Sequence, residues 1–322
     1  MAVRITELFR REKKTHEGLL NIEWVALGYI AFTLLMMGLL WDKLPNTTTM
    51  LGGRIRFVLV TLAMWAVYRL WPCRLTYLGR IAVQMLFLSW SYPDTYELNR
   101  ALPNLDHVFA GMEQHLFGCQ PALLFSQHVA WPWFSELMCL GYVSYFPLMV
   151  LVVIYYFWQR YAETGLATFV LLGSFYAYYV IFVLLPVTGP QFYYLAAGTE
   201  NIAAGIFPNL GDWFLTHSER MAPPGWTDGF FYHLLESAHE AGERPTAAFP
   251  SSHVGITTVL MLLALRTRSK RLCLTVLPFY VTMCFATVYI RAHYAVDVAA
   301  GLLTGIVFYY ALCGIYKKMG LR

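Results

Sequence analysis

The 322 residues are 58% hydrophobic and 17% aromatic, and only 13% carry a charge, where a soluble globular domain carries about a quarter. The net charge is +4, and the basic residues are scattered along the chain rather than gathered on one stretch, which sets aside a nucleic-acid-binding protein. Both observations lead to an integral membrane protein, whose spanning helices need ~20 apolar residues each.

Uncharged apolar runs occur at Trp24–Trp41, Phe57–Tyr68, Ile81–Trp90, Leu137–Trp158, Leu166–Pro186, Val254–Leu265, Leu272–Ile290 and Val298–Tyr316. They predict an all-α bundle of about eight transmembrane helices. The first run lacks the small-residue cleavage site of a signal peptide and is read as a span. The second, third and sixth runs are short; they reach spanning length if Arg56, Arg69 and Arg80 snorkel to the interface and the sixth begins near Ser251. A cytoplasmic segment 1–22, a section 23–133 of spans and first outer loop, and a helical core 134–322 divide the chain.

Lysine and arginine set the orientation. Arg4, Arg10, Arg11, Lys13 and Lys14, then Arg69 and Arg74, Arg160, then Arg266, Arg268, Lys270 and Arg271, and last Lys317, Lys318 and Arg322 fall in alternate connections, whereas Ser91–Glu136 and Val187–Ser252 hold many acids. Both termini are therefore expected in the cytoplasm, with the two long connections outside. In the first of these, FAGMEQHLFG places Phe109, Met112, Leu116 and Phe117 at helical spacing, as in a helix lying along the membrane surface. The second is rich in Gly, Pro and aromatics and suggests a lid or substrate wall; its His217, His233 and His239 read as solvent-facing. The six cysteines lack zinc-site spacing and read as packing residues.

An ionisable side chain at the membrane edge is a functional hypothesis. His253 opens the sixth run in FPSSHVGI, and His293 and Asp297 precede the eighth in YIRAHYAVDVAAG. In the expected topology both lie at the outer end of the bundle. The spacing of His293 and Asp297 puts them on one helix face, so that the carboxylate can hold Nδ1–H and leave Nε2 free as nucleophile or base. His253 on the facing helix can then act as acid toward a leaving group. Arg244, Arg291, and Ser251 and Ser252 at a helix N-terminus favour an anion. Together these residues describe a phosphoryl-transfer site that uses no metal and no cofactor. Two other classes of protein share part of this pattern. Two histidines and an aspartate also make a facial-triad iron site, which leaves the arginines and serines unexplained. A transporter or scaffold would place its polar residues near the bilayer midplane.

RPTAAFPSSH and HYAVD resemble the second and third signature motifs of the type 2 phosphatidic acid phosphatase superfamily, with Ser252 where the motif usually has glycine. The first motif is matched at Arg244-Pro245, its lysine position being Ser237; the third motif's arginine position is Thr287, and an arginine stands instead at 291. With LPVTGPQFYY and LFGCQPALL, these departures make the chain more similar to the branch of inositol phosphorylceramide synthases. The resemblance implies a helical core with a covalent phosphohistidine at its outer end. It assigns His293 as nucleophile, Asp297 as its orienting partner and His253 as acid, with Ser251, Ser252, Arg244 and Arg291 on the phosphate oxygens. The partners implied are a lipid phosphate substrate, membrane lipids and, for a transferase, an alcohol acceptor.

Overall fold

A computed structural model of the chain describes residues 5–13 and 15–319. Arg4, Lys14 and Arg322 of the expected cytoplasmic clusters lie outside them. Among the described residues the structure is helical without a strand, apart from an isolated bridge between Arg11 and Cys73. In chain order the helices are α1 (Asn21–Leu39), α2 (Thr47–Leu70), α3 (Arg74–Asn99), α4 (Asp106–Phe117), α5 (Pro121–His128), α6 (Pro132–Val143), α7 (Tyr145–Gln159), α8 (Thr164–Leu184), α9 (Pro190–Ala197), α10 (Thr199–Ala203), α11 (Phe230–Gly242), α12 (Ser252–Arg266), α13 (Lys270–Tyr289) and α14 (Ala295–Lys318).

Each of the eight apolar runs falls in a helix, but not each helix has the length and apolarity of a span. Among the described residues five qualify: α1, α2, Tyr161–Leu184 (which contains α8), α13 and α14. A sixth is gained if α6 and α7, bent by 48°, are taken as one span. Pro147 accounts for the bend, since it has no N–H to bond the Val143 carbonyl one turn back. With 15 residues, α12 is about 22 Å long against a hydrocarbon layer of ~30 Å.

The third run lengthens at both ends into α3, and its polar residues turn inward instead of reaching the interface. Arg80 does not snorkel: it is fully buried and donates to Glu23 of α1, Nε to Oε1 at 2.8 Å. Asp94, expected in the outer loop, is still within α3 and takes a bidentate pair from Arg54 of α2 at 3.1 and 2.7 Å. Glu23 also accepts from the Leu20 amide at the start of α1. Breaking such a buried pair strands a charge, which costs about 3–5 kcal/mol, whereas replacing both partners by apolar residues is often near neutral. Arg80→Met should therefore lower the melting temperature sharply, and the double variant Arg80→Met/Glu23→Leu should recover most of the loss, as measured by thermal unfolding in detergent.

In the core, α8 is buried along nearly its whole length, and α12 packs along α14, α13 and α8. The contact between α12 and α14 is backbone to backbone. A Cβ on Gly301 would lie 2.5 Å from the Ser251 carbonyl oxygen, and one on Gly305 would lie 2.5 Å from that of Gly255. Glycines one turn apart thus let two helices approach more closely than any side chain permits.

Because α12 runs from Ser252 to Arg266, its histidine end and its arginine end are at opposite ends of the bundle. At the arginine end, Glu163 accepts from Arg160 and Arg266, and Glu12 of the N-terminal segment receives the Tyr68 and Tyr161 hydroxyls. At the histidine end gather α4, α5, α9 and α11, the helices of the two long connections. α4 differs from the surface helix expected of it: Met112, Leu116 and Phe117 are exposed, but Phe109 turns inward with Asp106 and Glu113. Glu136 of α6 fixes α11 by accepting from the Phe231 and Tyr232 amides at its start.

Candidate active site

Ser251 caps α12, its Oγ accepting from the Val254 amide at 3.4 Å, while its own amide donates to the Asp297 carbonyl at 3.0 Å. This bond joins the first turn of α12 to the first turn of α14 and carries His253 to His293. Between α13 and α14, Arg291 adopts a left-handed backbone, φ 66°. The turn it makes lets the His293 amide reach back to the Thr287 carbonyl, and its own carbonyl accept from the Gln191 amide. His293 is therefore held in a tight turn and not on the helix.

The two imidazoles meet edge to face, with His253 Nδ1 3.3 Å from His293 Nε2. His293 Nδ1 lies 2.8 Å from the Ala248 carbonyl oxygen, which only accepts, so Nδ1 bears the hydrogen and Nε2 the lone pair. His253 must then present a hydrogen on the nitrogen facing His293. Tyr142 and Tyr145, on either side of the α6–α7 bend, both lie 4.4 Å from the His253 ring and hold it between them. His293 is 3% exposed, and this burial lowers its pKa to about 4, so that the ring is neutral at pH 7.

Asp297 is not the principal partner of His293. Its Oδ2 stands 3.5 Å from Nδ1 but caps the Tyr294 amide at 2.8 Å, as the third residue of a capping box at the start of α14. The orienting acceptor is the Ala248 carbonyl, with the Asp297 carboxyl group farther off. His253, His293 and Asp297 consequently do not converge on one point as an iron triad would, and among the described residues no group of three His, Cys, Asp or Glu side chains could hold a metal.

The phosphate-binding candidates take different positions. Ser251 and Ser252 are buried at the N-terminus of α12 beside the histidines. Arg244 donates Nη1 to the Glu243 carbonyl at 2.8 Å and forms no ion pair with Glu240 or Glu243. Arg291 is partly buried, makes no ion pair among the described residues, and its Nε has no hydrogen-bond partner. Thr287, at the motif's arginine position, is fully buried and hydrogen-bonds within α13.

Four residues of the site's frame were not singled out in the sequence. Asp106 accepts from the Thr188 amide and hydroxyl, the Gly189 amide and the Tyr294 hydroxyl at 2.7–3.0 Å, tying the start of α4 to the α8–α9 corner and to the turn that carries His293. At that corner a Cβ on Gly189, φ 91°, would sit 2.6 Å from the Ala292 carbonyl oxygen. Gln191 bonds Glu243 at 3.0 Å, bringing the outer loop onto the turn. Glu113 is buried at the start of α14, 3.4 Å from the Val296 amide. His239, expected in solvent, is 3% exposed.

Glu113 and His293 give stability opposite pH dependences. Burial, then the Asp297 carboxylate, raise Glu113 to about 8, so the fold favours its protonated form and the associated stability, complete below the unfolded value of 4.5, is lost as pH rises to 8. The depressed His293 acts in reverse: its contribution is complete above 6.5 and is lost as pH falls to about 4. Glu113→Gln removes only the first. Relative to the wild type, its melting temperature should rise on going from pH 5 to pH 8; an unchanged difference would contradict the burial of an ionisable Glu113.

A sequence model of the PAP2 superfamily matches residues 107–311, a span that runs from α4 into α14 and includes both histidines, Asp297, Arg244, Arg291, Ser251 and Ser252. The chain is thus a membrane protein of phosphatase or phosphotransferase type, and it belongs to the PAP2 superfamily. No curated protein and no solved structure matches it.

Proposed function

We propose that the protein cleaves a lipid-linked phosphate ester through a phosphohistidine on His293, without metal. The observation that carries this reading is the hydrogen bond between His253 Nδ1 and His293 Nε2, with the far nitrogen of His293 tied to the Ala248 carbonyl. Binding of substrate parts the pair and places phosphorus next to Nε2. The Nε2 lone pair forms the N–P bond, the P–O ester bond breaks with its electrons on the leaving oxygen, and His253, which enters the step as the imidazolium beside the bound phosphate anion, delivers one proton there and is left neutral. Water or an alcohol then attacks phosphorus and gives its proton to His253, and the N–P bond breaks to restore His293. Ser251 and Ser252, with the first amides of α12, stabilise the nonbridging oxygens, and Arg244 and Arg291 add charge.

The second substrate is water in a phosphatase and a lipid alcohol in a transferase. Transfer is supported by the burial of His293 beside a His253 ring flanked by Tyr142 and Tyr145, which limits the access of bulk water to the phosphohistidine, and by the resemblance of LPVTGPQFYY to the inositol phosphorylceramide synthase branch. The site faces the side away from the cytoplasm, a placement supported by the basic residues at the opposite end of the bundle. Purified protein supplied with a panel of lipid phosphates, with and without inositol phospholipid and ceramide, separates the outcomes. Release of inorganic phosphate indicates a phosphatase, and a new phospholipid formed only from donor plus acceptor indicates a transferase. Neither product would contradict the proposal.

A further inference from the structure

His239 is buried in the outer-loop helix α11, yet neither ring nitrogen has a hydrogen-bond partner. A buried polar group left in that state is uncommon and points to something that completes it. Its nearest carboxylate is Glu236, with Oε1 3.6 Å from Nδ1, and Glu236 is itself held by Arg220 at 2.9 Å. On the other side the ring stands edge-on to Tyr142, centroids 5.8 Å apart, and Tyr142 stacks on His253. Ser237, two positions earlier and so on the opposite face of α11, is exposed and donates its hydroxyl to the His233 carbonyl.

The geometry points to His239 as a third histidine of the site, one whose ring nitrogen binds a nonbridging oxygen of the transferring phosphoryl group. This inference rests on the phosphoryl-transfer reading above and extends it. Nδ1 faces the Glu236 carboxylate, which leaves Nε2 as the nitrogen available to a phosphate oxygen. The charged or titratable groups around it are Glu236 and Arg220 of the outer loop, Tyr142 of α6 and His253 of α12. With one nitrogen of Arg244 engaged on the Glu243 carbonyl, a ring nitrogen brought in by α11 adds to the groups available for phosphate.

Orthovanadate, a phosphoryl mimic, tests this without knowledge of the lipid. The full chain in detergent is melted over a range of orthovanadate concentrations, as wild type and as His239→Phe. Phenylalanine keeps the ring that packs against Tyr142 and removes the unpartnered nitrogens, so a purely packing role would leave vanadate binding unchanged. The expected result is an unliganded melting temperature no lower than that of wild type, with at least a tenfold rise in the vanadate concentration for half-maximal stabilisation. A rise of less than twofold overturns the inference while leaving the phosphoryl-transfer reading intact; a wild type that does not respond to vanadate overturns both. Should His239→Phe not fold, His239→Gln, which cannot carry a charge, is expected to bind at least fivefold more weakly, and binding within twofold of wild type overturns the inference.

Discussion

His293→Ala should reduce turnover by at least about 10⁴-fold and leave the protein folded, because without the Nε2 lone pair no phosphoenzyme can form. His253→Ala should cost about 10²–10⁴-fold, the usual contribution of a positioned acid, with the greater loss for substrates whose leaving alcohol is more basic. Folding of both variants is expected because the backbone frame is independent of the two rings. Ser251 is joined to the Asp297 carbonyl through its amide, the His293 amide bonds Thr287, and Asp106 holds the turn through Thr188, Gly189 and Tyr294. Asp297→Asn should be milder than His293→Ala, since the Ala248 carbonyl still fixes the tautomer. Near-normal turnover by His293→Ala would rule out its role as nucleophile.

The second large effect is expected at the α12–α14 contact. Gly301→Ala and Gly305→Ala each direct a methyl group at a carbonyl oxygen 2.5 Å away, in backbone that cannot step aside as a side chain would. Overpacking of this kind costs about 1–3 kcal/mol and moves α12 away from α14. Because the contact at Gly301 is with Ser251, the residue that caps α12 two positions before His253, a displacement on the order of 1 Å would misplace the acid and lower turnover by about 10²-fold. Gly314→Ala, on the same helix with no atom within 4 Å of the new Cβ, serves as the control and should be neutral or slightly stabilising. Thermal unfolding and turnover measured together on the three variants test this; equal behaviour of all three would contradict the packing argument.

Much of the histidine end of the bundle was legible because its signals are local. The pattern of two serines and a histidine ahead of an apolar run, and of histidine and aspartate four apart ahead of another, located both histidines and the helix N-terminus between them. The partner of His293 was not legible, because the winning acceptor is a backbone carbonyl 45 residues away, which has no side-chain signature. The expectation from helical spacing held only in part: Asp297 Oδ2 does come within 3.5 Å of His293 Nδ1, but His293 lies in the turn before α14 and the carboxylate is used as the cap of that helix. Arg80 shows the limit at longer range. Snorkelling was the reasonable reading of an arginine beside a short run, and the outcome was decided by Glu23, 57 positions earlier. The burial of His239 did have a local signal, since Tyr232, Leu235 and His239 recur at the spacing of one helix face and all three are buried. Asp106 had little, because four of its five donors come from two distant segments, Thr188–Gly189 and Tyr294, and only Asn104 is near it in sequence.

The most direct test of the account is the covalent intermediate itself. Protein mixed with the lipid phosphate it turns over, labelled in the phosphoryl group, is quenched in alkaline detergent, where a phosphohistidine survives, and digested with trypsin for mass spectrometry. The account predicts an acid-labile phosphoryl group on His293, in the peptide that begins at Ala292, and its absence from His293→Ala. A label on another residue, or turnover without any label on His293, would contradict it.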